Sequence, residues 1–261
     1  MYTVHAIPAL KDNYIWMIQH QKLKKAIVID PGCTTAVMDR LEAEKLTLTD
    51  ILITHHHLDH TAGIQALQQH FPNAHLYTPF PNQAANRLQQ QVQEAQRLSF
   101  WDQALSLKVI AVPGHTLDHI AFVNAQSLFC GDTLFSSGCG RLFEGSYQQL
   151  FTSLERLAQL PAKTAVFCTH EYTQANLAFA TAVEPNNSAI HSKQHWVNDR
   201  LKNNQPSLPS TIENELHTNP FLRTSHPDVI SSVCAHTGSN LQNPLDVFKA
   251  LRQWKDHFTP K

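Results

Sequence analysis

Residues 51–64 read ILITHHHLDHTAGI, and the six positions 55–60 hold four histidines and an aspartate. Ile51–Thr54 reads as a buried strand running into a polar loop. In extended backbone, side chains at i and i+2 share a face. His55 and His57 therefore reach one ion together, and His56 points away. Thr61-Ala62-Gly63 leads into a helical pattern, so the chain turns after Leu58 and aims Asp59 and His60 at a second ion. H-x-H-x-D-H at a strand end is a strong metal-binding pattern.

Other strand ends supply further candidates. His115 lies in VIAVPGHT, Asp132 in LFCGDTLF and His170 in AVFCTHEYT, each just past a predicted strand. Taken singly, each reads as well as a turn or capping residue. Taken with the main cluster, they complete a ligand set. His55, His57 and His115 make one three-nitrogen site. Asp59, His60 and His170 make a second, and Asp132 bridges both because a carboxylate has two oxygens. Such donors suit two divalent ions, with Zn the first choice and Fe or Mn also compatible. Two cations about 3.5–4 Å apart can share a hydroxide and orient a carbonyl. The helical H-E-x-x-H pattern is absent, and a closed structural zinc site would favour cysteine ligands.

The elements that must position these groups are short. Strands are predicted at Thr3–Ile7, Tyr14–Ile18, Lys25–Ile29, Ile51–Thr54, His75–Thr78, Leu107–Val112, Ile120–Val123, Ser127–Cys130 and Ala165–Thr169. Helical spacing appears over Thr35–Glu44, Ala62–His70 and Tyr147–Leu157. Gln83–Gln96 is polar and reads as helix or loop. After about Thr173 no convincing strand follows. AIHSKQHWVNDRLKNN and PLDVFKALRQWKDHF carry helical apolar spacing, with Pro206 and Pro209 in a linker-like stretch between them. A metal domain over 1–173 and a helical domain over 174–261 are the expectation.

Bulk properties are those of an ordinary globular protein. The chain has 261 residues, enough for one large domain or two modest ones. Hydrophobic residues make up 42% and charged residues 16%, which excludes a disordered chain. The formal net charge of −1 gives no general nucleic-acid or membrane surface. No apolar run approaches the roughly 20 residues that span a bilayer. The first residues alternate like a strand and lack the basic and apolar regions of a signal peptide. Five scattered cysteines without C-x-x-C fit a reduced, cytoplasmic setting. A monomer is the default expectation.

At the ligand motifs the sequence resembles the metallo-β-lactamase superfamily, through THHHLDH, PGHT, GDTLF and THEYT in that order. Within it, the sequence is similar to glyoxalase II, the hydroxyacylglutathione hydrolases. DNYIW, VIDPG, GCGRLFEG, TNPFLR and RQWKDHF carry that narrower likeness, which runs along essentially the whole chain. The resemblance implies an α/β fold, an αββα sandwich followed by a helical domain. It implies hydrolysis of S-(R)-lactoylglutathione to D-lactate and glutathione, the second step of methylglyoxal detoxification. It implies metal roles for the seven residues above, with Asp59 and Asp132 also catalytic. Glutathione contacts carry over to Arg141, Tyr172, Arg252 and Lys255, with Phe143 beside them. Animal members have Lys and Tyr where this chain has Arg141 and Phe143, so the charge is kept and a hydroxyl is lost. Cys139 reads as structural, since no general base accompanies it and the metals provide a nucleophile.

Rival members of the fold differ at telling positions. A secreted β-lactamase would want an export signal and a cysteine at position 132. A flavodiiron oxidoreductase would carry Glu in place of His57. A mono-iron persulfide dioxygenase would lack the long tail. An RNA-processing nuclease would want a basic exosite. From another class, a non-catalytic metal scaffold has no need of an open dinuclear site, and a thioester assay separates it.

Overall fold

The strand-rich beginning of the chain builds a mixed six-stranded sheet. Its strands are β1 (Thr3–Ala9), β2 (Asn13–His20), β3 (Lys25–Ile29), β4 (Thr47–Leu52), β5 (His75–Thr78) and β6 (Gln89–Gln91), hydrogen-bonded in sequence order. The pairs β1–β2 and β2–β3 are antiparallel, while β3–β4, β4–β5 and β5–β6 are parallel. The change has a simple cause. Helix α1 (Thr34–Glu44) returns the chain between β3 and β4, and α2 (Leu58–Thr61) with α3 (Ile64–His70) returns it between β4 and β5. This is a computed structural model, and it describes residues 1–81 and 88–259. Of the polar stretch Gln83–Gln96, residues 83–87 lie outside the described residues, and Gln89–Gln91 is strand rather than helix or loop.

By proximity the chain divides into two units, Met1–Ala111 with Asp118–Asn124 and Leu128–Gly131, and Val112–Leu117 with Ala125–Ser127 and Asp132–Lys261. In the first unit, Val37 and Leu41 of α1 and Leu67 of α3 pack with Ile15, Met17, Val28 and Ile51 of the sheet in one buried cluster. Strands β7 (Arg97–Phe100), β8 (Leu105–Ala111), β9 (Ile120–Val123) and β10 (Ser127–Gly131) form an antiparallel run. It meets the first sheet through the Phe100 and Tyr77 rings, 5.7 Å apart and edge-on, and through Trp101 Nε1, which donates to Thr49 Oγ1. Strand β9 is buried throughout, so its run IAFV lacks the alternation of a half-exposed strand.

The second unit is mostly helical. It opens on a two-strand hairpin, β11 (Leu134–Phe135) and β12 (Gly138–Cys139). Helix α4 (Tyr147–Ala158) starts at a capping box, Ser146 with Gln149, which satisfies amide groups the first turn leaves open. Strand β13 (Ala165–Cys168) pairs antiparallel with β14 (Ser210–Thr211). The sequence showed no strand after residue 173, and a two-residue strand is too short to leave a period. Helices α5 (Thr173–Val183) and α6 (Ser188–Lys202) enclose Leu177, Ala180, Ile190 and Val197. Helix α7 (Ile212–Thr218), a 3-10 turn (Pro220–Leu222), α8 (Pro227–Thr237) and α9 (Pro244–Asp256) complete it. Side chains of Asn187, Thr211, His226 and Asn243 cap α6, α7, α8 and α9, which is why each helix starts where it does. Among the described residues, no helix is long and apolar enough to cross a membrane.

Candidate functional site

The first unit gathers His55, His57, Asp59 and His60 on the loop after β4 and on α2. His55 Nε2 lies 3.0 Å from His57 Nδ1, as alternation predicts. His56 turns away, is exposed, and pairs with Asp118 at 3.1 Å. His60 Nε2 lies 3.5 Å from Asp59 Oδ2. Asn13 Nδ2 donates to the same Asp59 oxygen at 3.0 Å.

A second layer fixes which ring nitrogens stay basic. Thr54 Oγ1 gives its proton to Asp30 Oδ2 at 2.7 Å. It can then only accept from His55 Nδ1, 3.0 Å away, so the His55 proton sits on Nδ1 and the Nε2 lone pair is left for a cation. Asp30 Oδ2 also stands 3.0 Å from His60 Nδ1. Asp30 is held in the left-handed region at φ 53° and accepts the Thr54 N–H at 2.8 Å. Gly32 explains the VIDPG stretch, because a Cβ there would stand 1.7 Å from the Asp59 carbonyl. His119 stacks on His55 with centroids 4.5 Å apart.

The second unit gathers His115, Asp132 and His170. His115 Nε2 and His170 Nε2 lie 3.6 and 3.4 Å from Asp132 Oδ2. His115 Nδ1 is 2.9 Å from the Arg141 carbonyl, which only accepts, so His115 too carries its proton on Nδ1. Gly140 permits this approach, since a Cβ would stand 2.0 Å from the Asp132 carbonyl.

These donors fit divalent ions. Two nitrogen or oxygen ligands about 2.0–2.1 Å from one tetrahedral ion stand roughly 3.3 Å apart. The separations within each set run from 3.0 to 3.6 Å. All are imidazole or carboxylate, and His55, His60, His115, Asp132 and His170 are buried.

A cavity of about 380 Å³ in the second unit is lined by His115 and Asp132 together with Cys139, Arg141, Tyr172 and Lys255. Phe143 and Arg252 also line it. Tyr172 stacks flat on His170, centroids 4.6 Å apart. Phe143 is 64% exposed and meets His115 edge-on. Lys255 Nζ donates to the Ala175 carbonyl at 3.0 Å, and burial, aided by Arg252, lowers its pKa to about 8. Arg252 is only 3% exposed. Its Nη1 donates to the Cys139 carbonyl and its Nη2 to Asp256, both at 3.0 Å. Asp256 also stands 3.5 Å from Arg141 Nε. Burial pushes the Cys139 thiol up, against the pull of Arg252, so no reactive thiolate forms there.

Sequence reasoning did not single out Asp30, Thr54, Asn13 or His119. Asp30 and Asn13 lie within VIDPG and DNYIW, motifs that carried only a family likeness. An aspartate followed by Pro-Gly just past a strand was the signal available for Asp30. No spacing rule points to Asn13, Thr54 or His119.

Comparison with known proteins agrees with this chemistry. Residues 11–170 match the model of the metallo-β-lactamase superfamily, and residues 171–258 match that of the hydroxyacylglutathione hydrolase C-terminus. The chain is 47% identical to a hydroxyacylglutathione hydrolase of Psychromonas ingrahamii, over 99% of this chain and 100% of that one. It is also 47% identical to one of Aeromonas salmonicida, with the same coverage. Among solved structures it resembles ETHE1 from Myxococcus xanthus, with a TM-score of 0.63 at 24% identity over 97% of each chain, a likeness of fold. On full-length identity and on both family models, this chain belongs to the hydroxyacylglutathione hydrolases, the glyoxalase II branch of the metallo-β-lactamase superfamily.

Proposed function

We propose that the chain hydrolyses S-(R)-lactoylglutathione and related 2-hydroxyacylglutathiones to D-lactate and glutathione, the second step of methylglyoxal detoxification. One observation carries the reading beyond family membership. A single cavity joins the ligand-type residues His115 and Asp132 to the cations Arg141 and Lys255. A thioester carbonyl belongs beside the first pair and the glutathione carboxylates beside the second.

Two divalent ions complete the site, Zn first, with Fe or Mn compatible. His55, His57 and His115 would hold one, Asp59, His60 and His170 the other, and Asp132 would serve both. When bound, such ions supply a nucleophile from water near neutral pH and polarise a carbonyl. The chain's own residues do the rest. Asp59, its Oδ2 held by Asn13, stands ready to take a proton from the attacking water. The Arg141 carbonyl and the Thr54–Asp30 pair keep His115 and His55 in one tautomer through the cycle. Lys255 and the exposed guanidinium of Arg141 take the glutathione carboxylates. Tyr172 covers His170 and borders the acyl end. The leaving thiolate needs no obligatory acid, because an ordinary cysteine thiol has a pKa of about 8.5.

In this reading residues 1–173 form the metal domain and residues 174–261 the helical domain that binds glutathione. The enzyme works as a monomer in the cytoplasm, on a small-molecule thioester and with no nucleic acid or membrane. The experiment is hydrolysis of S-lactoylglutathione against a small thioester without glutathione. Loss of preference for the first in Arg141→Ala/Lys255→Ala supports the assignment. Equal rates on the two substrates in the wild type would refute it.

A further inference from the structure

A lysine and a glutamate are buried together in the second unit, and neither has a role in the site described above. Glu215 of α7 is fully buried, and the Lys193 side chain of α6 is nearly so. Lys193 Nζ donates to Glu215 Oε1 at 2.6 Å, and Ser210 Oγ donates to the same oxygen. Glu215 Oε2 accepts from the Ser137 backbone N–H at 2.7 Å and from Asn219 Nδ2 at 3.0 Å. An ionised carboxylate offers about four lone-pair sites, and four donors fill them here.

The network closes on one short turn. Ser137 sits between β11 and β12 at φ 56°, a left-handed conformation that costs a residue with a Cβ. Its hydroxyl is 3.1 Å from Thr218 Oγ1, which also accepts from Lys193 Nζ at 3.1 Å. Asn219 Nδ2 lies 3.2 Å from the Phe135 carbonyl and 2.9 Å from the Gly138 carbonyl, on the two sides of the turn. Asn176 Nδ2 donates to the Ser136 carbonyl at 3.1 Å. The hairpin so held places Phe135 and Cys139 in the wall of the cavity and leads directly to Arg141.

A buried ion pair is a poor means of stabilising a fold, because desolvation offsets most of its attraction and apolar residues do as well. Here the pair instead ties the Ser137 backbone N–H of the turn to α6 and α7. We infer that Glu215, paired with Lys193, is a positioning residue. It sets the β11–β12 turn and so the part of the cavity that takes the glutathione moiety. The inference rests on the glutathione reading above.

The test is Glu215→Gln in the metal-loaded enzyme, assayed on S-lactoylglutathione and on a small thioester lacking glutathione. Glutamine keeps the shape but cannot accept from four donors. KM for S-lactoylglutathione should rise about tenfold, the scale of a lost bond to a charged group. On the small thioester kcat/KM should stay within about twofold, since its contacts lie elsewhere. Equal losses on both substrates, or an unchanged KM in folded protein, overturn the inference. If Glu215→Gln does not fold, Thr218→Val decides. It removes the bonds to Ser137 and Lys193 but leaves the ion pair. A KM increase of about threefold, confined to the glutathione substrate, is then the supporting result, and an unchanged KM the overturning one. The wild type separates the two readings. No preference for the glutathione substrate there removes both, whereas a wild-type preference that the variants retain removes this one alone.

Discussion

Asp30 Oδ2 stands 3.0 Å from His60 Nδ1, with both side chains buried. The same oxygen takes the Thr54 hydroxyl that faces His55 Nδ1. One carboxylate, itself outside the ligand set, thus holds the Thr54 hydroxyl behind His55 and lies beside His60. Asp30→Asn keeps the size and removes the charge. Metal affinity is expected to fall about 10- to 100-fold, as for other outer carboxylates behind ligating histidines. Metal content after dialysis against a graded series of chelators checks this, and wild-type retention would refute the relay.

His56 and His57 are neighbours in sequence with opposite surroundings. His57 Nδ1 meets His55 Nε2, whereas exposed His56 meets Asp118. His57→Ala should lose bound metal and most activity. His56→Ala should change stability by less than about 0.5 kcal/mol and leave metal content intact. Equal damage from the two substitutions would sink the assignment of this loop.

If Lys255 takes a glutathione carboxylate as proposed, the enzyme should show a pH dependence on the alkaline side. Burial places its folded pKa at about 8, below the ordinary value of about 10.4. The ammonium is therefore complete below that point and lost as pH rises through it. KM for S-lactoylglutathione should climb above about pH 8, and Lys255→Arg, which stays charged, should flatten the profile. The linkage to stability has the opposite sense. Between about 8 and 10.4 the unfolded chain binds more protons than the folded one, so this group's opposition to folding fades as pH rises across the window. A KM that does not change with pH between about 7 and 9.5 would contradict the role of Lys255.

Arg252 and Lys255 part company on stability. Arg252 is buried with Nη1 on Cys139 and Nη2 on Asp256, and its guanidinium lies 5.1 Å from the Phe221 ring centre. Arg252→Ala should cost about 2 kcal/mol, the scale of buried bonds to a charged group, and lower the melting temperature. Lys255→Ala should leave melting nearly unchanged and act on KM. Identical melting of the two variants would count against the division.

The clustering of the candidate ligand residues was legible in the sequence because strands impose a two-residue period and because loops gather where strands end. The alternation of His55, His56 and His57 is the clearest case. Strands β3, β5 and β9 match their predicted bounds, since β3 and β9 are apolar runs with sharp ends and β5 alternates between exposed or half-buried positions and buried ones. Strands β7 and β14 and the β11–β12 hairpin were not legible. Leu98 and Phe100 alternate in β7, but over only four residues, and the hairpin strands have two residues each. What fixes them is distant in sequence. Glu215 and Asn219 meet residues 135–138 about 80 positions away, a relation no local pattern encodes. Asp30 was hidden for the same reason, because its partners Thr54 and His60 follow on a later strand end.

The central claim is that hydrolysis of S-lactoylglutathione depends on two divalent ions held by His55, His57, Asp59, His60, His115, Asp132 and His170. The direct measurement is a titration of metal-free protein with Zn, in which bound metal and hydrolysis are read on the same samples. Activity should appear as metal binds and level off near two ions per chain, and Asp132→Ala should lower both the metal bound and kcat. Full hydrolysis by protein shown to be metal-free, or a plateau at one ion unaffected by loss of Asp132, would contradict the account.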